Sequence, residues 1–246
     1  MTDNSTAVVT GAASGIGRAV AERLHREGLD VLAVDRDPVG LEALATLGMR
    51  TMAADLASAS DRDRIVEAGA GARALVNSAG INRLKPILEL TVDDIHDIYA
   101  VNVDAVWDLT SRIGRTMPSG GAIVNLSSSS AKLSTTTEAA VYASSKAAVL
   151  SITRSFAYAF AASNVRVNAI CPGIIDTPMQ DAVLAKVAQA RGQTFDELAA
   201  ERNRLVPLGR AASAQECAGA IWFLLSDEAG YMTGQAINYT GGLVMW

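Results

Sequence analysis

At 246 residues, half of them apolar and 19% charged, the chain can fill one large interior, which excludes disorder as its main state. A net charge of −5, from 21 basic and 26 acidic residues, leaves no global basic field for a phosphate backbone, so no nucleic-acid partner is expected. The two cysteines, Cys171 and Cys217, have neither Cys-x-x-Cys spacing nor a companion histidine pattern, so no disulfide framework or metal site is expected and a reducing cytoplasm fits best.

The predicted elements alternate. A strand over 6–10 precedes a helix over 15–26, and the pattern repeats with strand 31–35 and helix 39–47, then strand 50–54 and helix 60–68. Strand 74–77 is followed by one long helix over 92–117, strand 122–126 by helix 139–162, and strand 165–170 by a break in the pattern. Helix 214–225 and strand 235–239 complete seven strands. The strands carry few charges and no linker divides the chain, which predicts a single α/β domain with a doubly wound parallel sheet covered on both faces. The interruption at 176–207 holds two helix-like pieces, 180–191 and 194–204, and insertions of this length are commonly functional. Charges interrupt every apolar stretch before the roughly 20 residues that span a membrane, and the first residues have no leader pattern, so a soluble chain without a membrane partner is expected.

Chemistry is suggested first by the turn after the first strand, Thr10-Gly11-Ala12-Ala13-Ser14-Gly15-Ile16-Gly17. Glycines there allow a tight turn and let backbone N–H groups approach a pyrophosphate at the positive end of a helix. The spacing has three residues between the first two glycines, unlike G-x-G-x-x-G, and by itself also suits an ordinary glycine-rich turn. Asp35, about 20 residues beyond the turn at a strand end, is placed to accept hydrogen bonds from an adenosine ribose and to repel a 2′-phosphate. Arg36 beside it pulls toward the phosphorylated cofactor without removing the carboxylate.

Tyr142-Ala143-Ser144-Ser145-Lys146 sets a phenol and an ammonium one helical turn apart on the same face. A fixed cation beside a phenol favours the phenolate and suits it to proton transfer from an alcohol. A packed ring beside a solvated charge has the same spacing.

The glycine turn and Tyr-x-x-x-Lys, in this order on a strand-helix background, resemble the short-chain dehydrogenase/reductase family along essentially the whole chain. By that resemblance the fold is Rossmann-type and Gly11, Ser14, Gly15, Ile16 and Gly17 hold the cofactor. Asp55-Leu56 looks like the pair that meets adenine. Asn77-Ser78-Ala79-Gly80 is similar to the family's N-N-A-G element, with Ser78 departing from it and Asn77, Ala79 and Gly80 assigned to the cofactor. Asn102 falls where the family keeps a catalytic Asn. Cys171-Pro172-Gly173 through Ile175 and Thr177 resembles the segment that cradles the nicotinamide.

The catalytic serine lies in the run Ser127 to Ser130. The family's usual spacing to the tyrosine selects Ser129, whereas the preceding strand selects Ser128, and the strand is the firmer anchor because its period of two fixes which side chain faces the cofactor. The resemblance implies an NAD cofactor, also held by Tyr142 and Lys146. It makes Tyr142 the acid/base, Lys146 the group lowering its pKa, Ser128 a donor to the substrate oxygen, and Asn102 the holder of a water linked to Lys146. The insertion 176–207 becomes a substrate lid. The 92–117 and 139–162 segments, with Trp107, Phe156 and Phe160, become oligomer-forming helices, so a homotetramer is expected.

The C-terminal run Tyr231-Met232-Thr233-Gly234-Gln235 through Gly242 is similar to members acting on sugar alcohols, so the expected substrate is a small polyol, sugar or cyclic alcohol, or its ketone. Ser129, Ser130, Thr135, Thr136, Thr137 and Glu138 are expected near that pocket. A 3-oxoacyl-thioester reductase is the nearest enzymatic alternative, opposed by Asp35. A non-catalytic NAD-binding regulator is the other, opposed by the presence of both Tyr142 and Lys146.

Overall fold

A computed structural model describes residues 5–133 and 137–246. Its elements run β1 (Thr6–Thr10), α1 (Gly15–Arg26), β2 (Asp30–Asp35), α2 (Pro38–Thr46), β3 (Arg50–Ala53), α3 (Ala59–Ala68) and β4 (Ala74–Asn77). Next come α4 (Val92–Tyr99), α5 (Ala105–Gly114), β5 (Ala122–Leu126), α6 (Ala140–Phe160), β6 (Arg166–Pro172), β7 (Ile175–Asp176), α7 (Pro178–Arg191), α8 (Phe195–Arg204), β8 (Ala212–Ser213), α9 (Ala214–Leu225) and β9 (Ala236–Tyr239).

Seven strands form one parallel sheet in the order β3-β2-β1-β4-β5-β6-β9. The strand period of two sorts each strand onto two cores. Ala7, Val9, Val31, Ala33, Ala74, Val76 and Val124 pack with α1, α2 and α9 on one face. Val8, Leu32, Val34, Leu75 and Ile123 pack with α3, α5 and α6 on the other. This is the single-domain, doubly wound Rossmann-type fold expected from the alternation of elements. The strand order reverses between β1 and β4, and a crevice opens beyond the carboxyl ends of the strands at such a switch point.

Three expectations change. The single helix over 92–117 is α4, a π-helical turn at Ala100–Asp104, and α5, which stops at Gly114. Pro118 keeps its predecessor out of helical geometry, and the Thr116 hydroxyl donates to the Ile113 carbonyl, closing the end. β6 continues past the expected end at residue 170 to Pro172 because β9 pairs with Cys171 and Pro172. A second sheet of β7 and β8, two residues each, joins the start of the insertion to the strand preceding α9. Within the insertion α7 and α8 form as expected, closed by a small apolar core of Leu184, Ala188 and Leu198.

Candidate active site

The cleft at the switch point has a volume of about 1220 Å³ and is bounded by the ends of β1, β2, β4, β5 and β6, with α7 and α8 above them. On its floor the glycine turn is forced by contact. Gly11 and Gly15 have φ of +68° and +54°, and a Cβ at Gly17 would stand 2.0 Å from the Gly11 carbonyl oxygen, so α1 begins tight against the turn. Thr10 Oγ1 accepts from the Ser78 and Ala79 amides, both at 3.2 Å, stitching this turn to the end of β4.

α1 starts open. Its N-cap Ser14 makes no capping hydrogen bond and its first turn holds no acidic residue, so free N–H groups and the positive helix end face the cleft beside Gly15 and Ile16. That donor set suits a pyrophosphate. Asp35, at the end of β2, is fixed by the Ala13 amide on one oxygen and the Asp37 amide on the other, each at 3.0 Å, and keeps unused lone pairs on the cleft. Asp55 and Leu56 line the same end, with the Asp55 carboxylate accepting from Ala57. The residues present therefore fit a dinucleotide.

Tyr142 and Lys146 emerge from α6 one turn apart, as the spacing predicts, with the ammonium 5.8 Å from the centre of the phenol ring. Ser128, two residues beyond β5, lines the cleft with Tyr142, and its Oγ accepts from the Ser130 amide. Ser129 lines the cleft as well, while Ser128 is the serine whose side chain acts on the phenol. Burial pushes the Tyr142 phenol above its ordinary value, and the Ser128 side chain opposes that rise. The Lys146 ammonium donates to the Leu126 carbonyl at 2.8 Å. Only 3% exposed, Lys146 is held down by burial to about 8. Ser127 supports it from beneath, donating to its backbone carbonyl at 2.8 Å.

The nicotinamide end is walled by Pro172, Gly173, Ile175 and Thr177. Ala79 and Gly80 form the opposite wall, and a Cβ at Gly80 would meet Lys146 Nζ at 3.1 Å and Asn102 Oδ1 at 3.4 Å.

Two expected site residues do not line the cleft. Asn77 is buried in a polar chain through the sheet and α5, donating to Thr110 at 3.0 Å and to Asn125 at 2.8 Å, with Asn125 donating on to Thr153. Asn102, fully buried in the π turn, donates to the Ile81 carbonyl and to Ser145 and accepts from the Ile81 amide, all within 3.0 Å. The Oδ1 and one amide hydrogen therefore hold the loop after Gly80, and the other hydrogen ties the π turn to α6. Of the residues expected near the substrate, Ser129, Ser130 and Glu138 line the cleft, Thr137 is exposed outside its lining, and Thr135 and Thr136 lie outside the described residues. The Leu126 carbonyl and the Ile81 backbone were not foreseen, since a main-chain group leaves no signature in residue type.

A family model described as enoyl-(acyl carrier protein) reductase matches residues 11–244. Galactitol 2-dehydrogenase (L-tagatose-forming) of Cereibacter sphaeroides is 35% identical over 254 residues, 99% of this chain and 96% of its own. Among solved structures, the short-chain dehydrogenase/reductase SDR:glucose/ribitol dehydrogenase from Brucella melitensis superposes with a TM-score of 0.89 at 35% identity, covering 99% of this chain and 98% of that one. The chain belongs to the short-chain dehydrogenase/reductase family. A second structure, a putative NAD(P)-dependent gluconate 5-dehydrogenase from Beutenbergia cavernae with bound NADP, gives 0.87 at 35% identity, with 98% and 97% covered. As a short-chain dehydrogenase/reductase the protein is an oxidoreductase, and this family binds a nicotinamide cofactor. Among the described residues no helix is long and apolar enough to cross a membrane, and no cluster of three or more His, Cys, Asp or Glu could hold a metal.

Proposed function

We propose that this protein uses NAD to interconvert a small hydroxylated secondary alcohol, such as a polyol, sugar or cyclic alcohol, and its ketone. The observation that carries the reading is the convergence of Ser128, Tyr142 and Lys146 on one cleft, with Lys146 one helical turn from Tyr142. Gly80, Pro172 and Gly173 would hold the nicotinamide, which would supply the hydride chemistry. The protein supplies the proton chemistry. In alcohol oxidation Tyr142 takes the hydroxyl proton, and in ketone reduction it returns one to the oxygen. Ser128 donates to that oxygen, stabilising charge where it develops. Lys146, freed from Leu126, binds the nicotinamide ribose and brings its charge toward the phenol, countering the burial that otherwise holds the proton on Tyr142. Asn102 acts as a positioning residue. Its Oδ1 keeps a lone pair on the side of Gly80 that also holds Lys146 Nζ, which supports a water link between the two.

Asp35 supports NAD over NADP, since its fixed carboxylate accepts from ribose hydroxyls and opposes a 2′-phosphate. The sugar-alcohol relatives support the substrate class. α7 and α8 act as the substrate lid, the insertion belonging to the same single domain. Half-exposed Trp107 on α5 and exposed Tyr158 on α6 support assembly into a homotetramer, whereas Phe156 and Phe160 are spent on this chain's own core. Two free, buried cysteines suit a cytoplasmic location. Reduced-nicotinamide absorbance with NAD and NADP over a panel of polyols, sugars, cyclic alcohols and β-ketoacyl thioesters tests the reading. A kcat/KM for a thioester about a hundredfold above every polyol refutes the substrate class.

A further inference from the structure

Arg202 on α8 lines the cleft without a carboxylate partner among the described residues. The stripe Gln180, Leu184 and Ala188 on α7 faces Leu198 and Arg202 on α8, and the apolar members form the small core that fixes the helix pair. Where that stripe reaches the cleft, it ends in Arg202. Burial lowers the Arg202 guanidinium from its ordinary value, and no charged group offsets the effect. No carboxylate pairs with Arg202 among the described residues, although most neighbouring charges are matched. Arg191 pairs with Glu201 at 3.7 Å, Lys85 pairs with Asp94 at 2.6 Å, and Glu138 lies on the exposed rim. Glu201 is also held by Gln193 at 3.3 Å, so the acid next in sequence to Arg202 is engaged elsewhere.

The Arg202 side chain has one partner. With its oxygen toward α8, the Gln180 amide accepts from both terminal nitrogens of the guanidinium. Gln180 sits in the first turn of α7, where its backbone N–H donates to the cap Thr177, so Arg202 is tethered next to the segment that walls the nicotinamide end. Two of five N–H donors are used, and three remain for a ligand. Leaving a guanidinium partly desolvated without a counter-charge is costly, and a Leu or Met there would extend the apolar stripe. The Nε–H and an outer Nη–H remain as a side-on fork, which a planar carboxylate satisfies with both oxygens and a single hydroxyl does not.

We propose that Arg202, oriented by Gln180, binds a carboxylate on the substrate, so that the secondary alcohol oxidised here belongs to a polyhydroxy acid. The inference rests on the oxidoreductase reading above and narrows its substrate class.

The test is calorimetric titration of the NADH complex with a six-carbon aldonate and with the matched alditol, a comparison that needs no turnover. The aldonate is expected to bind about 10- to 100-fold more tightly. Arg202→Met should abolish that difference, Arg202→Lys should restore part of it, and NADH and alditol binding should remain unchanged. If Arg202→Met does not fold, raised salt should still weaken aldonate binding to the wild-type complex and leave the alditol alone. Equal affinities in the wild type overturn the proposal, as does tighter binding of the matched alditol phosphate. Loss of NADH affinity alone in Arg202→Met would assign the guanidinium to the cofactor phosphates and also overturn it. Turnover of the same compounds reports separately on the oxidoreductase reading, since alditol oxidation with no aldonate preference sinks only the carboxylate assignment.

Discussion

Replacing Ser128 by alanine, with Ser129→Ala as its partner experiment, tests which hydroxyl serves the reaction. Ser128 is 8% exposed, its Oγ accepts from the Ser130 amide at 3.1 Å, and its side chain acts on the Tyr142 phenol. Losing the Ser130 contact is the loss of an N-cap and costs about 0.5–2 kcal/mol of stability, which leaves a folded protein able to bind NADH. Losing the contact to the reacting oxygen removes a preorganised donor from a water-poor cleft, worth about 2.7–4 kcal/mol, or about 10²- to 10³-fold in kcat. The same deletion removes an interaction that opposes the burial of the phenol, so the pH profile of alcohol oxidation moves to higher pH. Ser129→Ala has neither effect and keeps kcat within about threefold. Steady-state rates across pH, with NADH fluorescence to verify cofactor binding, decide the matter. A larger kcat loss in Ser129→Ala than in Ser128→Ala would show that the reasoning from β5 is wrong.

Tyr142→Phe keeps the ring and deletes the acid/base, so turnover falls by about 10²-fold or more with NADH affinity preserved, and retention of about a tenth of the rate contradicts the role. Asp35→Ala removes the carboxylate held by Ala13 and Asp37, so the ratio of kcat/KM for NAD over NADP falls; wild-type preference for NADP would reverse the cofactor assignment. Because burial raises the Tyr142 phenol, the neutral form dominates at pH 7. Oxidation, which needs the phenolate, therefore speeds up as pH rises, and reduction, which needs the phenol, slows; faster oxidation at about pH 6 than at about pH 9 runs against this. Asn77→Ala strips partners from Thr110 and Asn125 and costs about 1–3 kcal/mol for each group left unpaired, read as a lower denaturant midpoint with NADH affinity kept. A selective loss of NADH affinity would instead return Asn77 to the cofactor site.

The local rules settle much of this protein. Strand period and helix period place β1, β4, β5, α1 and α9 at their observed bounds, since each element's burial pattern is written within its own residues. Glycines at 11 and 15 mark positive φ, and Tyr142 and Lys146 share a helix face by their spacing alone. The tertiary structure decides what depends on partners distant in sequence. Asn77 and Asn102 read like cleft residues, yet the packing of α5 and α6 against β4 and the loop after Gly80 turns their amides to Thr110, Asn125, Ile81 and Ser145. Lys146 reads as a solvated cation beside a phenol, but the end of β5 brings the Leu126 carbonyl within 2.8 Å and removes water from it. Arg202 reads as one charge on the solvated face of an amphipathic helix. Only the packing of α7 on α8 places it at the cleft, tethered by Gln180 and unmatched by any described carboxylate. Residue type sets what a side chain can bind, and the fold determines which of its possible partners arrive.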